Sequence, residues 1–388
     1  MNIGIIGTRG IPNHYGGFEQ FAEIFACNMV KKGHRVTVYS SHTHPYKESQ
    51  FGGVHIIHCK DPEHRIGTFG QFIYDYNCIK DAGVRDFDLI LQLGYTSSTI
   101  WSWLFPKSAL LVTNMDGLEW RRSKYRKPVQ WFLKFAEKWG VRYSDHLIAD
   151  SKGIQAYLHE KYRVNASYVP YGAIEYFPEK KPSLLKKYGI IAGQYDLVVA
   201  RFEPENNIET FLKAYVQMPE RKFLLVGNYN DTRFGKRVYA RYAPVSNIIF
   251  ANGIYDNEKL NTLRYNSRIY FHGHSVGGTN PSLLEAMACR TLICAHKNQF
   301  NASILQGNAF YFTEEKDILQ LAGELIDKRD YQDWIGTNIQ AIRELYNWDV
   351  ITDQLEAHFI KWLKERSAHL VRQEMAVPVL LTQTIKQG

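Results

Sequence analysis

The sequence lacks the features of a membrane-spanning or secreted protein. It contains no run of about 18 apolar residues, so no transmembrane helix is predicted. Its first residues, Met1–Gly10, enter a strand pattern directly, without the basic region and long apolar stretch of a secretory signal. These absences favour a cytoplasmic protein that can lie on the inner face of the cell membrane but does not span it.

Paired cysteines and metal-binding patterns are also missing. None of the five cysteines forms a Cys-x-x-Cys pair, which favours free thiols in a reducing compartment. His14, His272 and His274 stand in no His-Glu-x-x-His arrangement. Asp86 and Asp88 form an Asp-x-Asp, but they precede an apolar strand pattern, and a solvated strand start is the preferred interpretation. We therefore predict no metal and no cofactor.

The composition that is present is globular and basic. The 388 residues exceed one ordinary core, so two domains are expected. Hydrophobic residues make up 45% of the chain and charged residues 22%, which is typical of folded rather than disordered protein. The net charge of +8 indicates an anionic partner, with a solvated basic surface as the alternative that composition leaves open.

Apolar runs alternate with amphipathic stretches, which is the pattern of parallel α/β sheets. The first unit consists of the strand Asn2–Gly7, a glycine-rich loop, the helix Phe18–Lys32 and the strand Arg35–Tyr39. The same half contains further predicted strands at Val54–His58, Leu89–Leu93, Ala109–Thr113 and His146–Ala149, and helices at Phe69–Ala82 and Val129–Tyr143.

A second α/β series begins at Tyr195. Its predicted strands are Leu197–Ala200, Phe223–Val226, Ile248–Phe250, Ile269–His272, Leu292–Cys294 and Ala309–Phe312. Its predicted helices are Asn207–Tyr215, Asn257–Tyr265, Pro281–Ala288 and Lys316–Lys328. The fold class is therefore α/β with two Rossmann-like domains, residues 1–173 and 174–347, separated after the strand end Tyr168–Gly172 by the connector Pro178–Pro182. Residues 348–366 are predicted to form a terminal helix, and residues 367–388 a less regular tail.

The loop Gly10–Glu19 follows the first predicted strand and suits a phosphate. Gly16 and Gly17 let the backbone approach a ligand, and the next helix offers N–H groups at its N-terminus. A tight turn without a ligand is the alternative. Since Gly-x-Gly-x-x-Gly is absent, NAD binding is not predicted.

Two loops of the second domain also suit an anion. Arg201 lies just after a predicted strand, where ligands of open sheets bind, and its guanidinium can meet a diphosphate; an exposed arginine without a ligand is the alternative. The loop His272–Glu285 opens a helix at Asn280-Pro281-Ser282, whose first N–H groups can bind phosphate oxygens. Glu285 is either part of that site or a carboxylate on the helix surface.

The segment Asn114–Arg122 carries candidate acid–base residues. Asp116 follows the strand Ala109–Thr113, where a carboxylate can position a donor hydroxyl or polarise the proton of an acceptor. Glu119 is the second candidate. The alternative for Asp116 is a cap on the next helix.

Five motifs follow one another along the chain: GTRGIPNHYGGFE, NMDGLEWRR, YVPYG, VARFEPENN and GGTNPSLLEAMA. In this order they resemble the motifs of the family-four glycosyltransferases of GT-B fold, and the resemblance covers nearly the whole chain. The chain looks most like the bacterial polysaccharide enzymes that include rhamnosyltransferases of capsule and exopolysaccharide assembly. The resemblance implies two domains facing across a cleft, the helix Trp348–Arg366 returning to the first domain, and metal-independent transfer with retention from a nucleotide-diphosphate sugar.

The resemblance also implies residue roles. The catalytic residues would be Asp116, Arg201 and Glu285, with Glu285 holding the ribose hydroxyls. The acceptor side would include His14, Tyr15 and Glu119. The donor contacts would come from Gly16, Gly17, Arg201, Asn206, Gly277, Gly278, Thr279, Asn280, Ser282 and Glu285.

The chain departs from the family pattern at two of these positions. Asn206 stands where similar enzymes carry a lysine, and Gly277 stands where many carry the first of two glutamates. Arg201 and helix dipoles would then suffice for the diphosphate, or Lys297 or Arg9 would replace the missing cation. Backbone amides near Gly278 and Thr279 would replace the missing glutamate.

Residues 120–143 mix aromatic and basic side chains. Such a stretch suits an interfacial helix on anionic lipid, and an ordinary amphipathic helix is the alternative. No nucleic-acid-binding module is present, so nucleic acid is not an expected partner. The resemblance favours lipid, because many similar enzymes act on polyprenyl-diphosphate-linked sugars at the inner membrane face.

The predicted function is transfer of a hexosyl or deoxyhexosyl group to a glycan or lipid-linked sugar acceptor. Two other functions stay open. One is a different GT-B enzyme, such as a nucleotide-sugar epimerase or a phosphorylase. The other is a non-catalytic protein that binds a sugar nucleotide or a lipid.

Overall fold

The computed structural model describes residues 1–14, 16–122, 125–178, 182–276, 278–324 and 326–384. Within these residues the chain forms two α/β lobes, each built on one sheet. Tyr15, Gly277 and most of the predicted connector Pro178–Pro182 lie outside the described residues.

The first lobe contains eight strands. They are β1 Asn2–Ile6, β2 Arg35–Ser41, β3 Gln50–Phe51, β4 Val54–Cys59, β5 Leu89–Leu93, β6 Leu110–Asn114, β7 His146–Ala149 and β8 Ser167–Tyr168. Their order is β3-β4-β2-β1-β5-β6-β7-β8, and only β3 pairs antiparallel with its neighbour. Because the other strands are parallel, their carboxyl ends and the loops after them lie along one edge.

Helices cover both faces of this sheet. They are α1 Gly17–Lys31, α2 Glu63–Ile66, α3 Phe69–Ala82, α4 Lys127–Tyr143 and α5 Lys152–Tyr162, with 3₁₀ turns at Thr99–Leu104 and Glu119–Arg121. The apolar stripe of α1, formed by Phe21, Phe25 and Met29, is fully buried. Burying each such side chain contributes about 1.5–3 kcal/mol, and this fixes the N-terminus of α1 at the carboxyl edge.

The second lobe repeats the architecture with six parallel strands. They are β9 Tyr195–Val199, β10 Lys222–Val226, β11 Ile248–Ala251, β12 Tyr270–His272, β13 Ile293–His296 and β14 Phe310–Phe312, in the order β11-β10-β9-β12-β13-β14. Its helices are α6 Pro182–Lys187, α7 Ile208–Val216, α8 Arg233–Tyr242, α9 Asn257–Asn266, α10 Pro281–Ala288, α11 Gln299–Leu305, α12 Glu315–Gly323 and α13 Gln332–Glu344. Short 3₁₀ turns occur at Pro204–Asn206 and Lys328–Tyr331.

The terminal helix α14, Trp348–Thr384, contacts the first lobe. The rings of Phe359 and Phe25 lie 6.0 Å apart, and the ring of Trp362 stacks on His146 at 4.3 Å. Lys32 Nζ donates to Glu356 Oε2 at 2.6 Å. These contacts attach the last helix to α1 and to the strand β7 of the sheet beneath it.

Three predicted boundaries differ from the structure by more than two residues. The helix predicted over Lys316–Lys328 ends at Gly323, since glycine is a poor helix former and Glu324 is extended. The strand end predicted over Tyr168–Gly172 stops at Tyr168. The helix predicted to end at Arg366, before an irregular tail, continues to Thr384; no glycine or proline interrupts residues 367–377.

No helix within the described residues combines the length and the apolar composition that a crossing of the bilayer requires.

Candidate active site

The two lobes meet at the N-termini of α1 and α10. A Cβ atom placed on Gly17, the first residue of α1, would lie 3.3 Å from Cγ of Pro281, the first residue of α10. One turn further, Gln20 Nε2 donates to Glu285 Oε1 at 3.2 Å, from one lobe to the other. Two positive helix ends therefore face each other across the gap. Because the lobes touch here, a ligand can enter only when they separate.

The N-terminus of α1 has unused N–H groups. Its N-cap residue is Gly16, which has no side chain to accept a hydrogen bond. The first backbone bond of the helix runs from Gln20 N to Gly16 O. In the described part of the chain, the N–H groups of Gly17 and Phe18 have no acceptor. These N–H groups are available to phosphate oxygens, and the predicted phosphate contact at this helix end stays a prediction.

The N-terminus of α10 is capped by Asn280. Pro281 has no N–H, and Asn280 Oδ1 accepts the N–H of Ser282 at 2.9 Å. The N–H of Leu283 donates to Asn280 O at 3.0 Å. The amides of Ser282 and Leu283 are thus occupied by the side chain and carbonyl of Asn280, and the predicted phosphate contacts of this turn stay a prediction. The contribution of α10 to the gap is the positive potential of its helix dipole.

Glu285 is not a carboxylate on the helix surface. Arg264 Nη2 donates to Glu285 Oε2 at 2.5 Å, and the Arg264 side chain is only 2% exposed, against 23% for Glu285. Arg264 also donates to Ser282 Oγ at 3.3 Å, and this hydroxyl pairs with Tyr270 OH at 2.8 Å. Glu285 is therefore held in one orientation at the edge of the gap, where its remaining accessible surface can meet ligand hydroxyls.

Arg201 follows β9 at the carboxyl edge of the second sheet. Its side chain is exposed and, among the described residues, forms no hydrogen bond or ion pair. Asn206 is buried and supports the same loop: its Nδ2 donates to Arg201 O at 2.8 Å, and its Oδ1 lies 3.0 Å from His274 Nδ1. Asn206 therefore shapes the loop that carries Arg201, and its predicted donor contact stays a prediction.

The two histidines after β12 add no charge at neutral pH. Burial, together with the charges of Arg122 and Arg201, lowers the pKa of His274 to about 4. Burial lowers the pKa of His272 to about 3. The charges that act on this loop are therefore those of Arg122 and Arg201, one from each lobe.

Asp116 and Glu119 lie with Arg122 on the first-lobe side of the gap. Asp116 follows β6 with a left-handed backbone (φ 49°), and its N–H donates to Asn114 Oδ1 at 3.0 Å. No side-chain cap from Asp116 occurs on the following 3₁₀ turn, so the capping alternative is not met. Glu119 Oε1 pairs with Arg122 Nη2 at 2.7 Å. Burial lowers the pKa of Arg122, but the carboxylates of Glu119, Asp116 and Glu203 raise it by more.

The other predicted residues are placed as follows. Arg9 forms ion pairs with Asp61 and Glu63 of its own lobe. It therefore does not replace the lysine that similar enzymes carry at the position of Asn206. Lys297 is exposed after β13, and its role stays a prediction. The ring of His14 is exposed, with its centroid 5.4 Å from that of His44.

The Asp-x-Asp lies at the far edge of the first sheet. Asp88 Oδ2 accepts the N–H of Asn2 at 2.6 Å, and Asp86 O accepts from the Asn2 side chain at 2.5 Å. Both hydrogen bonds hold the first residue of β1 in place, which agrees with the interpretation of Asp86 and Asp88 as a solvated strand start. Across the described ranges, no three His, Cys, Asp or Glu side chains converge as metal ligands.

Buried polar atoms without partners occur in several parts of the structure. Among the residues that the structure describes they are Ser40 Oγ, Tyr95 OH, Asp150 Oδ1, Glu205 Oε1 and Oε2, Tyr242 OH, Arg264 Nε, His272 Nε2 and Arg366 Nη1. A buried polar atom without a hydrogen bond costs roughly 1–3 kcal/mol. Arg264 pairs with Glu285 and Asp150 contacts Thr279, so two of these atoms lie at the site, where a polar ligand can complete them.

Three site residues were not found from the sequence: Arg122, Asp150 and Arg264. Arg264 carried a usable signal, because it follows Leu260 and Leu263 on the inner face of α9, where a charge requires a partner. Asp150 follows β7 beside the loop of Asp116, so its position at a carboxyl strand end was a second signal. Arg122 was assigned to the basic stretch that suggested lipid binding.

Comparison with known structures identifies the fold. Sucrose-phosphate synthase from Thermosynechococcus elongatus superposes with a TM-score of 0.77 at 16% identity, covering 94% of this chain and 99% of that one. HepE of Anabaena in complex with UDP gives 0.68 at 16% identity, covering 93% and 100%. An α,α-trehalose 6-phosphate synthase from Burkholderia multivorans gives 0.69 at 12% identity, covering 95% and 98%. The fold is GT-B. At these identities the likeness shows the fold alone.

Two family models match consecutive parts of this GT-B chain. Residues 186–336 match the family described as glycosyl transferases group 1. Residues 1–174 match a domain of unknown function, DUF1972. The first match supports the predicted resemblance for the second lobe, whereas the rhamnosyltransferase branch stays a prediction.

A curated relative matches a short segment. It is an uncharacterized 42.6 kDa protein in the cps region of Klebsiella pneumoniae, 41% identical over 59 residues. The match spans 15% of this chain and 16% of that relative.

Proposed function

We propose that the protein is a glycosyltransferase that moves a hexosyl or deoxyhexosyl group, with rhamnosyl as the first candidate, from a nucleotide-diphosphate sugar. The acceptor is a glycan or a polyprenyl-diphosphate-linked sugar in bacterial surface polysaccharide synthesis, and the transfer proceeds with retention. The glycosyl transferases group 1 match over residues 186–336 and the segment similar to a cps-region protein support this class of function.

One observation carries the proposal: the uncapped N-terminus of α1 faces the start of α10 between the lobes. The free N–H groups of Gly17 and Phe18 and the two helix dipoles favour a diphosphate at this point. Arg201 is an exposed guanidinium on the second-lobe edge that has no partner among the described residues, and Glu285 is a fixed carboxylate beside the same gap. These groups match the diphosphate and the ribose hydroxyls of one ligand.

The proposed chemistry assigns each part a role. When the bond from the sugar to the diphosphate breaks, negative charge grows on the leaving phosphate. Arg201 and the N–H groups at α1 are in place before the reaction and stabilise that charge without a metal ion. Asp116 positions a hydroxyl of the donor or polarises the proton of the acceptor, and Glu119 acts on the acceptor side.

A nucleotide screen tests the class of ligand. We expect UDP, GDP or dTDP to raise the melting temperature of the protein, because a ligand that binds only the folded state stabilises it by about 2.7 kcal/mol at 100 times its dissociation constant. AMP, which lacks a diphosphate, is the control. If none of the three diphosphates shifts the melting temperature, or if AMP shifts it equally, the proposed diphosphate site is wrong.

Product analysis then separates transfer from its rivals. With the nucleotide sugar that binds and no acceptor, a transferase releases little free sugar or epimer. Epimerised nucleotide sugar would indicate an epimerase, and turnover of the glycan with inorganic phosphate would indicate a phosphorylase. Binding without any turnover in the presence of acceptor would indicate a non-catalytic protein.

We also propose that α3 and α4 rest on an anionic membrane at the inner face of the cell membrane. The aromatic face, defined as Phe69, Phe72, Trp131, Phe132 and Phe135, joins the two helices through a ring contact of 5.6 Å between Phe72 and Phe132. Trp131 is 81% exposed and Phe69 76%. The exposed cations that accompany this face on α4 are Lys127, Lys134, Lys138 and Arg142. An apolar surface beside basic side chains is complementary to anionic lipid.

Vesicle co-sedimentation tests this contact. Phe69→Ser combined with Trp131→Ser is expected to weaken binding to phosphatidylglycerol vesicles by about 10-fold or more, since each aromatic side chain loses part of its burial in lipid. The control Ile191→Ser removes an exposed apolar side chain of the second lobe and should bind like wild type. Equal binding of the double variant, or equal binding of wild type to neutral vesicles, would contradict the membrane proposal.

A further inference from the structure

Asp150 links the two lobes beside the loop that leads into α10. It follows β7 directly, and its side chain is only 1% exposed. Asp150 Oδ2 accepts the N–H of Thr279 at 3.1 Å, and its main-chain oxygen accepts Thr279 Oγ1 at 2.5 Å. The Thr279 amide, a predicted donor contact, is therefore occupied by a carboxyl group of the facing lobe.

The second oxygen of this carboxyl group has no partner. Asp150 Oδ1 is buried and accepts no hydrogen bond from the described residues. A Cβ atom on Gly278 would lie 2.0 Å from Oδ1, so only glycine permits this close approach. A buried carboxyl oxygen without a donor is costly, which indicates that the arrangement is kept for a ligand that supplies one.

The surroundings define the chemistry of that ligand. Burial, and then the nearby charge of Asp116, raise the pKa of Asp150 well above the usual range of a carboxyl group. The charge of Asp116 near Asp150 disfavours a phosphate here, because like charges repel. Carboxyl groups accept hydrogen bonds from hydroxyl groups, and in its neutral form Asp150 can also donate one. The ligand part that fits is the hydroxyl-rich sugar ring, not the diphosphate.

We propose that Asp150 recognises the transferred sugar, by a hydrogen bond between its carboxyl group and a ring hydroxyl beside Gly278. This inference rests on the proposed function and deepens it. It assigns recognition of the sugar to Asp150 of the first lobe. The diphosphate is bound by α1 and Arg201, and the ribose by Glu285. When the lobes separate, the sugar hydroxyl takes the place at Asp150 that the Thr279 N–H holds in this structure.

Asp150→Asn tests this assignment, because asparagine has nearly the same shape and keeps a carbonyl oxygen for Thr279. Isothermal titration compares UDP, GDP and dTDP with UDP-glucose, GDP-mannose and dTDP-L-rhamnose on the full chain. We expect the variant to bind the nucleoside diphosphates within about 2-fold of wild type. The extra affinity due to the sugar should disappear, and kcat/KM for the nucleotide sugar should fall by about 10-fold or more.

Glu160→Gln is the matched control. It makes the same change from carboxylate to amide at an exposed position of α5, away from Asp150 and Thr279. This variant should keep both the nucleotide and the sugar-dependent affinity.

Two results would overturn the inference alone. If Asp150→Asn weakens nucleoside diphosphates as much as nucleotide sugars, Asp150 only holds the lobes together. If it leaves kcat/KM unchanged, the sugar lies elsewhere. If wild type binds none of the six nucleotides, the proposed function fails and this inference falls with it.

Discussion

Arg201→Ala is expected to lower kcat by about 100- to 1,000-fold, the usual effect of removing one preorganised group that stabilises transition-state charge. The protein should still fold, because the Arg201 side chain is exposed and, among the described residues, has no partner that would be left behind. Steady-state kinetics with the nucleotide sugar found in the screen, together with a melting curve, provide the measurement.

Two further variants show whether the loss is specific. Arg201→Lys keeps the charge but not the fork of donors, so it should recover part of the rate. Arg35→Ala removes an exposed arginine at the opposite edge of the first sheet, where β2 begins, and should retain full activity. Near-normal kcat for Arg201→Ala would remove Arg201 from the mechanism.

Glu285→Ala is expected to lower the free energy of unfolding by about 3 kcal/mol, because it leaves a buried guanidinium without its carboxylate. Arg264 is 2% exposed, whereas Glu285 is 23% exposed, so the cost comes mainly from the unpaired arginine. Urea denaturation measures this change. Glu285→Ala should also weaken nucleotide binding, since the carboxylate assigned to the ribose is gone.

The surface pair of Arg237 and Glu209 provides the matched control in the same lobe. These side chains are 3.3 Å apart, and Arg237 is 65% exposed. Glu209→Ala should therefore change the free energy of unfolding by no more than about 1 kcal/mol. Adding Arg264→Met to Glu285→Ala should recover stability, because the unpaired charge is removed. An equal loss from Glu285→Ala and Glu209→Ala would contradict the buried pair.

Periodicity and motif position predicted most of the fold. The alternation of apolar runs and amphipathic stretches located β7, α3 and α10 at their observed bounds. It also placed the loops of Gly16, Arg201 and Glu285 at carboxyl strand ends, which is a consequence of parallel pairing. Helix ends were less predictable: α14 passes Arg366 because the local sequence contains no stop signal there.

The sequence could not predict which polar groups would already be satisfied. Asn280 accepts the N–H groups of Ser282 and Leu283 at the start of α10, whereas those of Gly17 and Phe18 at the start of α1 have no acceptor among the described residues. The glycine spacing of the loop before α1 and of the loop before α10 does not indicate which of the two helices has free N–H groups. The contact of Asp150 with Thr279 joins positions of the chain that only the arrangement of the lobes brings together. Pairings between distant positions decide the site, and one sequence does not contain them.

The most direct test is a crystal structure with the nucleoside diphosphate that binds most tightly. The account predicts phosphate oxygens within hydrogen-bonding distance of the N–H groups of Gly17 and Phe18, the guanidinium of Arg201 on the same phosphates, and the ribose hydroxyls on Glu285. A nucleotide whose phosphates lie away from the N-terminus of α1, or outside the gap between the lobes, would contradict it.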